Sequence, residues 1–202
     1  MNCPLCQKSQ AELFHRHQSR DFFLCAGCTI IFVPRSQVLT PAEEKKRYDA
    51  HQNDESDPQY RNYFLKTVNS VTLELRPGSS GLDFGCGRTR LMENLFFEQG
   101  FRLDSFDPFY FPELNLWERT YDFIIMVEVI EHLTDPLGTI LELKKILKGP
   151  LFVRTKLYPL TDFGNWFYMR DPTHVQFFSM KALLTLGNVQ EIAQDLYRID
   201  LK

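Results

Sequence analysis

Gly81-Leu-Asp-Phe-Gly-Cys-Gly-Arg-Thr89 is a glycine-rich turn that ends a short apolar stretch and precedes a segment with helical periodicity. Gly85 and Gly87 let the backbone approach a ligand closely, and the start of the following helix supplies N–H donors. Asp107 follows the second predicted strand, where an acid can hydrogen-bond a ribose. The turn therefore predicts a nucleotide-type cofactor at the end of a parallel sheet.

Strand-like and helix-like segments alternate around this turn, which favours a three-layer α/β fold with a mostly parallel, Rossmann-like sheet. Apolar runs predict strands at residues 80–84, 101–106, 121–127 and 151–155, and a closing hairpin at 189–192 and 196–201. Capping patterns predict a helix from Thr40-Pro41-Ala-Glu43, then a polar stretch at 51–58. Further helices are predicted at 58–75, from Leu91, at 136–148 and after Ser179.

Composition divides the chain into three parts. Residues 1–35 hold four of the five cysteines, residues 36–76 form a predicted helical connector, and residues 77–202 carry the strand–helix alternation. The net charge of −3 argues against a strong nucleic-acid binder. No apolar run approaches the roughly 18 residues of a membrane span, and no signal peptide opens the sequence. We expect a cytoplasmic protein that acts on a small molecule.

The cysteines form two C-x-x-C pairs, Cys3/Cys6 and Cys25/Cys28, separated by 18 residues. This spacing is typical of zinc sites, in which two knuckles complete a tetrahedron of thiolates. Two disulfides, which a reducing compartment disfavours, and a redox pair are the alternatives. We expect a structural Zn²⁺ in a small zinc ribbon-like module.

Two cofactor classes use a glycine turn of this kind. A dinucleotide site requires G-x-G-x-x-G, and Arg90 occupies the third glycine position, which argues against NAD. An S-adenosylmethionine (SAM) site places an acid two residues before the first glycine, and Asp83 is there. The turn therefore favours SAM.

Two stretches resemble the class I SAM-dependent methyltransferases. Leu82-Asp-Phe-Gly-Cys-Gly87 is similar to their first motif, and Y-D-F-I-I-M-V-E-V-I-E-H-L at 121–133 is similar to their fourth-strand motif. The cysteine pairs, followed by Ile31-Phe-Val33, resemble the branch with an N-terminal zinc module. The resemblance spans nearly the whole chain and implies a seven-stranded sheet with SAM at the carboxyl ends of the strands.

The resemblance also implies a cofactor pocket. Asp83, Gly85 and Gly87 would hold the methionine part and Asp107 the ribose. The other pocket residues would be Cys86, Pro108, Glu128 and Val129, with Cys86 as a turn residue rather than a nucleophile.

One departure from the family pattern concerns the adenine region. Only 13 residues, 108–120, separate Asp107 from Tyr121, and the family normally fits a helix and a third strand there. We therefore expect a sheet truncated after the second strand, with an adenine pocket improvised by Pro108, Phe109 and Phe111. A non-catalytic zinc-module binding protein on a degenerate methyltransferase fold is the alternative that this truncation favours.

An acidic-histidine segment follows the fourth-strand motif. Glu128, Glu131 and His132 leave the strand at the edge where ligands bind, and His174 lies in a later polar-aromatic stretch. A neutral imidazole takes up a proton near pH 7, so His174 is the candidate general base, with Glu131 and His132 as catalytic partners. Hydrogen bonds that tie loops together are the alternative role for all three.

The same residues allow a metal-dependent alternative. E-x-x-E-H with a distant histidine resembles the metal site of some O-methyltransferases, including those that methylate small-RNA ends. That resemblance implies Mg²⁺ or Mn²⁺ at Glu128, Glu131, His132 and His174, where a cation activates the attacked hydroxyl. Many methyltransferases carry the segment without metal, so a metal-free site is the other possibility.

The substrate-pocket candidates are polar or aromatic side chains of the later loops: Tyr158, Trp166, Tyr168 and Arg170. We expect a methyltransferase that moves the SAM methyl group to a small-molecule acceptor, most readily a hydroxyl. An RNA methyltransferase that uses the zinc module as a grip is a further alternative.

Overall fold

The computed structural model describes residues 1–50, 55–113 and 115–202. The strands of this part of the chain are β1 (Ala11–His17), β2 (Arg20–Cys25), β3 (Ile31–Phe32), β4 (Ser80–Phe84), β5 (Arg102–Phe106), β6 (Phe123–Val127), β7 (Leu151–Arg154), β8 (Gln176–Phe177), β9 (Gly187–Ala193) and β10 (Leu196–Leu201). The α-helices are α1 (Pro41–Asp49), α2 (Pro58–Thr72), α3 (Leu91–Glu98), α4 (Pro136–Lys144) and α5 (Met180–Leu184). None of these helices is long and apolar enough to cross a membrane.

The larger sheet has six strands in the order β5-β4-β6-β7-β10-β9. β5, β4, β6 and β7 are parallel, and β10 is antiparallel to both β7 and β9. From β4 the chain goes first to β5 on one side and then to β6 on the other. This reversal creates a crevice at the carboxyl ends of these strands, where ligands of open α/β sheets bind.

The middle strand β6 shows how the layers are filled. Phe123 and Ile125 pack in the core formed with α2 and α3, whereas Ile124 and Met126 pack in the core formed with α4 and α5. A strand covered on both faces needs a continuous apolar run rather than alternation. The predicted three-layer α/β fold is confirmed.

The helix starts follow the predicted caps. Thr40 and Glu43 form a reciprocal capping box, and the Ser179 hydroxyl accepts a hydrogen bond from the Ala182 N–H. α2 and α4 end three and four residues earlier than predicted, respectively at Thr72 and Lys144. The residues after α4 pair with the sheet instead of continuing the helix, because the backbones of residues 146 and 148 hydrogen-bond the backbone of Tyr121. Within the predicted polar stretch, residues 51–54 lie outside the described residues.

The region after β5 is truncated as predicted. The described residues between β5 and β6 form an isolated bridge, Asp107–Phe111, and a 3₁₀ turn, Leu116–Glu118, instead of a helix and a strand. A parallel crossover needs a dozen or more residues before its strand begins. The sheet therefore has six strands in the described residues, and the implied count of seven is wrong.

The smaller sheet joins the cysteine-rich N-terminal part to the rest of the chain. Its strand order is β1-β2-β3-β8, all antiparallel, and β8 comes from residues far along the chain. Phe22 and Ile31 share a buried cluster with Phe163 and Phe177. The division into 1–35, 36–76 and 77–202 stays a prediction, but the first part shares a sheet and a core with the third.

Candidate active site

A cleft of about 910 Å³ opens at the carboxyl ends of β4, β5 and β6. All eight residues expected to bind the cofactor line it: Asp83, Gly85, Cys86, Gly87, Asp107, Pro108, Glu128 and Val129. Two of the three catalytic candidates, His132 and His174, line it as well. These ten residues thus meet at one place.

The glycine turn is hydrogen-bonded to Asp107. Gly85 and Gly87 have φ angles of 85° and 69°, in the left-handed region that favours glycine. The Gly87 N–H donates to Asp107 Oδ2 at 3.0 Å, and the N–H groups of Phe109 and Tyr110 donate to Oδ1 at 2.8 and 3.2 Å. Three backbone donors therefore fix the carboxylate that is expected to meet the ribose.

Asp83 is a buried carboxyl group of the cleft that has no partner among the described residues. Its side chain is 3% exposed, and no hydrogen bond or ion pair joins its carboxylate to another described residue. Burial, together with the nearby charges of Asp107 and Glu93, raises the pKa of Asp83 to about 8. An unpaired buried carboxyl of this kind is costly, and a cationic group in the cleft would offset the cost.

Aromatic rings border the truncated region. Pro108 and Phe109 line the cleft as expected, and Tyr110 lies beside them. Phe111 lies outside the cleft lining, where the Arg90 guanidinium stacks over its ring at 4.6 Å. The adenine candidates are therefore Pro108, Phe109 and Tyr110, because the Asp107–Phe111 bridge turns Phe111 away.

Glu128 is held by two phenols. Its Oε1 accepts from the Tyr63 hydroxyl and its Oε2 from the Tyr168 hydroxyl, both at 3.0 Å. Its φ of 54° is unusual for a residue other than glycine, and such conformations cluster at functional sites. The carboxylate is thus fixed at the wall of the cleft.

Glu131 lies behind this wall and does not line the cleft. It is fully buried, and its carboxyl group is hydrogen-bonded to the hydroxyls of Tyr168 and Thr155. Burial, and then the charge of Glu128, raises the pKa of Glu131 to about 8. Glu131 can therefore support Tyr168 and its neighbours, but it does not face a substrate in the cleft.

The two histidines stand edge to face, with ring centroids 4.7 Å apart. His174 Nδ1 lies 2.7 Å from the Tyr168 carbonyl oxygen, and His132 Nδ1 lies 3.0 Å from the Thr173 carbonyl oxygen. A carbonyl only accepts, so each Nδ1 carries the proton and each Nε2 keeps a lone pair in the neutral ring. Burial lowers the pKa of His174, which keeps its imidazole neutral and able to accept a proton.

Three of the four expected divalent-metal ligands come together. One carboxylate oxygen of Glu131 and one ring nitrogen each of His132 and His174 lie within 4.8 Å of one another. Glu128 is not part of this group, because both of its oxygens are turned to tyrosine hydroxyls. Histidines that bind metals commonly donate their other N–H to a carbonyl, and both rings do so here.

The substrate candidates separate into two pairs. Tyr168 and the exposed Arg170 line the cleft, whereas Tyr158 and Trp166 do not. The Tyr158 hydroxyl donates to the Thr29 carbonyl oxygen at 2.7 Å, and Trp166 packs on Phe163 and Phe177. In the structure Tyr158 thus binds the N-terminal part, Trp166 packs in the aromatic cluster around Phe163, and neither lines the cleft.

The four N-terminal cysteines form a compact cluster. The Sγ atoms of Cys3 and Cys28, and those of Cys6 and Cys25, are 3.6 Å apart, and all four lie within 4.8 Å. A tetrahedral zinc site with bonds of about 2.3 Å requires sulfur–sulfur distances of roughly 3.8 Å. All four thiols are unpaired in this structure, and the geometry of the cluster fits a zinc ion.

Besides Tyr110, two tyrosines of the cleft, Tyr48 and Tyr63, were not predicted from the sequence. The Tyr48 hydroxyl donates to Glu44 at 2.7 Å, and its ring stands edge-on to His132 at 5.5 Å. Tyr63, whose hydroxyl donates to Glu128, lies on α2 next to the face that carries Tyr60 and Phe64, which pack against the core formed with α3. A phenol next to that face could have indicated a partner in the sheet, because a buried tyrosine hydroxyl usually needs one.

Comparisons with known proteins agree with this architecture. A model of the family described as "Methyltransferase domain" matches residues 56–188. No curated protein matches the chain significantly.

Two solved structures share the fold over most of the chain. One is the 1,6-didemethyltoxoflavin-N1-methyltransferase of Burkholderia thailandensis with 1,6-didemethyltoxoflavin and S-adenosylhomocysteine bound, at 15% identity over 94% of this chain and 97% of that chain, with a TM-score of 0.55. The other is the N-methyltransferase NodS of Bradyrhizobium japonicum with S-adenosylhomocysteine, at 17% identity over 79% and 97% of the two chains, with a TM-score of 0.54. At these identities the likeness establishes the fold.

Proposed function

This chain belongs to the methyltransferase domain family, and we propose that it transfers the SAM methyl group to a hydroxyl of a small-molecule acceptor. The reaction releases S-adenosylhomocysteine. The acceptor occupies the part of the cleft between His174, Tyr168 and Glu128.

The unpaired carboxyl of Asp83 carries the proposal. It is buried, it opens onto the cleft beside the glycine turn, and no described residue neutralises it. SAM bears an ammonium group and a sulfonium, and either charge supplies what this carboxyl lacks. The ammonium fits best, because Asp83 directly precedes the turn that admits a close approach.

The remaining cofactor contacts follow from the order of residues along the cleft. Asp107, already fixed by backbone donors, would meet the ribose. Pro108, Phe109 and Tyr110 would cover the adenine in place of the missing third strand, and Cys86, Glu128 and Val129 would complete the pocket.

His174 would act as the general base. When bound, SAM supplies an electrophilic methyl group. Nε2 of His174 accepts the proton of the hydroxyl as its oxygen bonds to the methyl carbon, and the electron pair of the broken carbon–sulfur bond stays on sulfur. A hydroxyl holds its proton tightly at neutral pH, so it benefits most from a base, and alignment supplies most of the remaining acceleration.

The neighbouring side chains would shape the acceptor site. Tyr168 and Arg170 line the cleft and are our candidates for substrate contacts. His132 packs edge-to-face against His174 and would hold its ring, and Glu131 would act through Tyr168. We assign no substrate contact to Tyr158 or Trp166.

The cysteine cluster would hold a structural Zn²⁺. Four thiolates complete its coordination and leave no open position for chemistry. Gly27 allows the tight second knuckle, because a Cβ there would lie 2.2 Å from Ser9 Oγ. Thiols that bind zinc must stay reduced, which supports the expected cytoplasmic location.

A divalent cation at Glu131, His132 and His174 is the second candidate mode of catalysis. The clustering of one carboxylate and two imidazoles favours it, and this donor set suits Mn²⁺ better than Mg²⁺. Calorimetric titration of the zinc-loaded protein with Mn²⁺ tests it, with His132→Gln as the variant and His17→Gln as the control. Mn²⁺ binding lost only in His132→Gln supports the cation, and no binding to the wild type contradicts it.

The main experiment measures SAM binding by calorimetry on the zinc-loaded protein. We expect binding that Asp83→Asn weakens by about tenfold or more, because the charge partner of the ammonium is removed. Asp104→Asn is the matched control, since Asp104 lies on the neighbouring strand and pairs with Arg119 at 2.7 Å outside the cleft. Radiolabelled methyl transfer to a panel of small alcohols, phenols and amines then tests the acceptor. Transfer to amines alone would contradict the hydroxyl assignment.

A further inference from the structure

Arg20 is a side chain of the N-terminal part that reaches the segment bearing His174. It begins β2, and its Nη1 donates to the carbonyl oxygens of Met169 and Asp171 at 3.0 and 2.9 Å. Its Nη2 donates to the carbonyl oxygen of His174 itself. One guanidinium therefore binds three main-chain carbonyls of a single loop.

This loop sets the orientation of the His174 ring. His174 Nδ1 donates to the carbonyl oxygen of Tyr168, six residues earlier. The Thr173 N–H and hydroxyl both donate to Asp171 Oδ1, which shapes the turn between them. The carbonyls that Arg20 holds lie within this turn, so Arg20 fixes the backbone from which the imidazole projects.

The surroundings of Arg20 suit such a clamp. Its guanidinium lies over the Phe22 ring at 5.1 Å, and burial lowers its pKa to about 10, which still leaves it charged. A planar guanidinium presents several donors in a fixed fork, whereas a lysine ammonium offers no such geometry. Hydrogen bonds from a charged donor are also stronger than neutral ones.

We propose that Arg20 is a positioning residue that holds the His174 ring in its Nδ1–H tautomer and aims Nε2 into the cleft. The inference rests on the proposed role of His174 as the base. The N-terminal part then contributes to the reaction, because Arg20 of β2 positions a residue on the acceptor side of the cleft although Arg20 itself does not line the cleft.

A second link between the parts does not replace this contact. β3 pairs with β8, and the Val33 N–H donates to the Val175 carbonyl oxygen at 2.9 Å. That pairing anchors the chain just after His174. Of these two links, the Arg20 contact is the one made to the Tyr168–His174 turn itself, so its loss should disturb the ring while the sheet persists.

The test is nitrogen NMR of the imidazoles in the zinc-loaded protein near pH 8, where the His174 ring is neutral because burial lowers its pKa. Comparison with His174→Gln assigns the signals. We expect the wild type to show His174 as a single tautomer with the proton on Nδ1. Arg20→Met should show a mixture of tautomers, and Arg20→Lys should show it too, because lysine keeps the charge but loses the fork.

The control is Arg16→Met, which removes an exposed arginine of β1 paired with Asp21 and should leave the His174 spectrum unchanged. If Arg20→Met does not fold, Arg20→Lys decides the outcome. A wild-type His174 spectrum in a folded Arg20 variant overturns the proposal, even where melting shows lower stability.

Catalysis gives a second readout. With an acceptor that turns over, Arg20→Lys should lower kcat by about tenfold to a hundredfold and leave the KM for SAM unchanged, since misalignment costs rate rather than cofactor binding. An unchanged kcat overturns the positioning role. Failure of the proposed function gives a different result. The wild type then binds no SAM, whereas the change of the His174 tautomer in the Arg20 variants is still observed.

Discussion

Arg20 and His174 are joined by a hydrogen bond from a guanidinium to a main-chain carbonyl across 154 residues of sequence. The first residue belongs to the cysteine-rich N-terminal part and the second to the edge of the cleft. Two further hydrogen bonds join the same two parts of the chain. The Tyr158 hydroxyl donates to the Thr29 carbonyl oxygen, and the Thr29 hydroxyl lies 2.6 Å from the Ser179 hydroxyl. The zinc-type cluster and the acceptor side of the cleft therefore belong to one packed unit.

Removal of a zinc ligand should destabilise the whole chain. Cys25 ends β2, the strand that begins at Arg20. The Cys25→Ser variant should therefore lose zinc and weaken the contacts between the N-terminal part and the rest of the chain. We expect a loss of about 3 kcal/mol or more, which lowers Tm by roughly 10 °C for a chain of this length. Calorimetry should show one transition, because the core is shared.

Cys86→Ser is the control for zinc content, since Cys86 lies in the glycine turn outside the cysteine cluster. It should retain one zinc per chain by elemental analysis. A separate low-temperature transition in Cys25→Ser, with the main transition unmoved, would show that the N-terminal part folds independently and contradict the shared unit.

SAM binding should release a proton from Asp83. The pKa of Asp83 in the free protein is about 8 because of burial and the charges of Asp107 and Glu93, so the group is mostly protonated at pH 7. An ammonium beside it favours the ionised form. The free protein then binds a proton that the complex lacks, so affinity rises as pH increases toward about 8 and falls as pH decreases.

Calorimetry in two buffers of different ionisation enthalpy counts this proton. We expect release of about one proton per SAM at pH 7 in the wild type and in Asp104→Asn, and none from this site in Asp83→Asn. Proton uptake by the wild type would mean that Asp83 does not meet the positive charge of SAM.

The sequence predicted the parts of the fold that depend on local patterns. The apolar run of β6, the capping box at Thr40 and the final hairpin all appeared, because each is specified by neighbouring residues. The truncation after Asp107 was predictable from chain length alone. The clustering of Asp83, Asp107 and His174 followed from their places at strand ends and in a later loop.

Other features depend on contacts between distant residues and left no local pattern. Nothing near Arg20 indicates that it meets carbonyls about 150 residues away. Glu131 was expected in the cleft, but the 3₁₀ turn Ile130–His132 directs it inward to Thr155 and Tyr168. Trp166 lies in the same stretch as Tyr168, but only Tyr168 of the two reaches the cleft, because Trp166 packs against Phe163 and Phe177.

The two glycines of the turn should respond differently to alanine. At Gly85 a Cβ would lie 2.6 Å from Val129 Cγ2, and φ is 85°, whereas at Gly87 φ is 69° and no atom of the described residues lies within 4 Å of the added Cβ. Gly87→Ala should cost about 1 kcal/mol from backbone strain alone. Gly85→Ala should cost more and also displace Val129 from the cofactor pocket.

Urea unfolding and SAM calorimetry on both variants check this prediction. We expect Gly85→Ala to bind SAM at least about tenfold more weakly than Gly87→Ala, since it alone combines strain with a clash. Equal affinities would show that Val129 moves aside and that the cofactor does not depend on its position.

Tyr168 and Tyr63 offer a matched test of the hydrogen bonds to Glu128 and Glu131. Each hydroxyl lies 3.0 Å from an oxygen of Glu128, but only that of Tyr168 is also hydrogen-bonded to the fully buried Glu131. Tyr168→Phe therefore leaves Glu131 with Thr155 as its side-chain donor, at a cost of about 1–3 kcal/mol for a buried group that loses a partner. Tyr63→Phe leaves an acceptor at the open cleft, where water replaces the phenol, and should cost less than about 1 kcal/mol. Urea unfolding at neutral pH compares the two, and an equal or larger loss in Tyr63→Phe would mean that Glu128, not Glu131, depends on the phenols for its place in the fold.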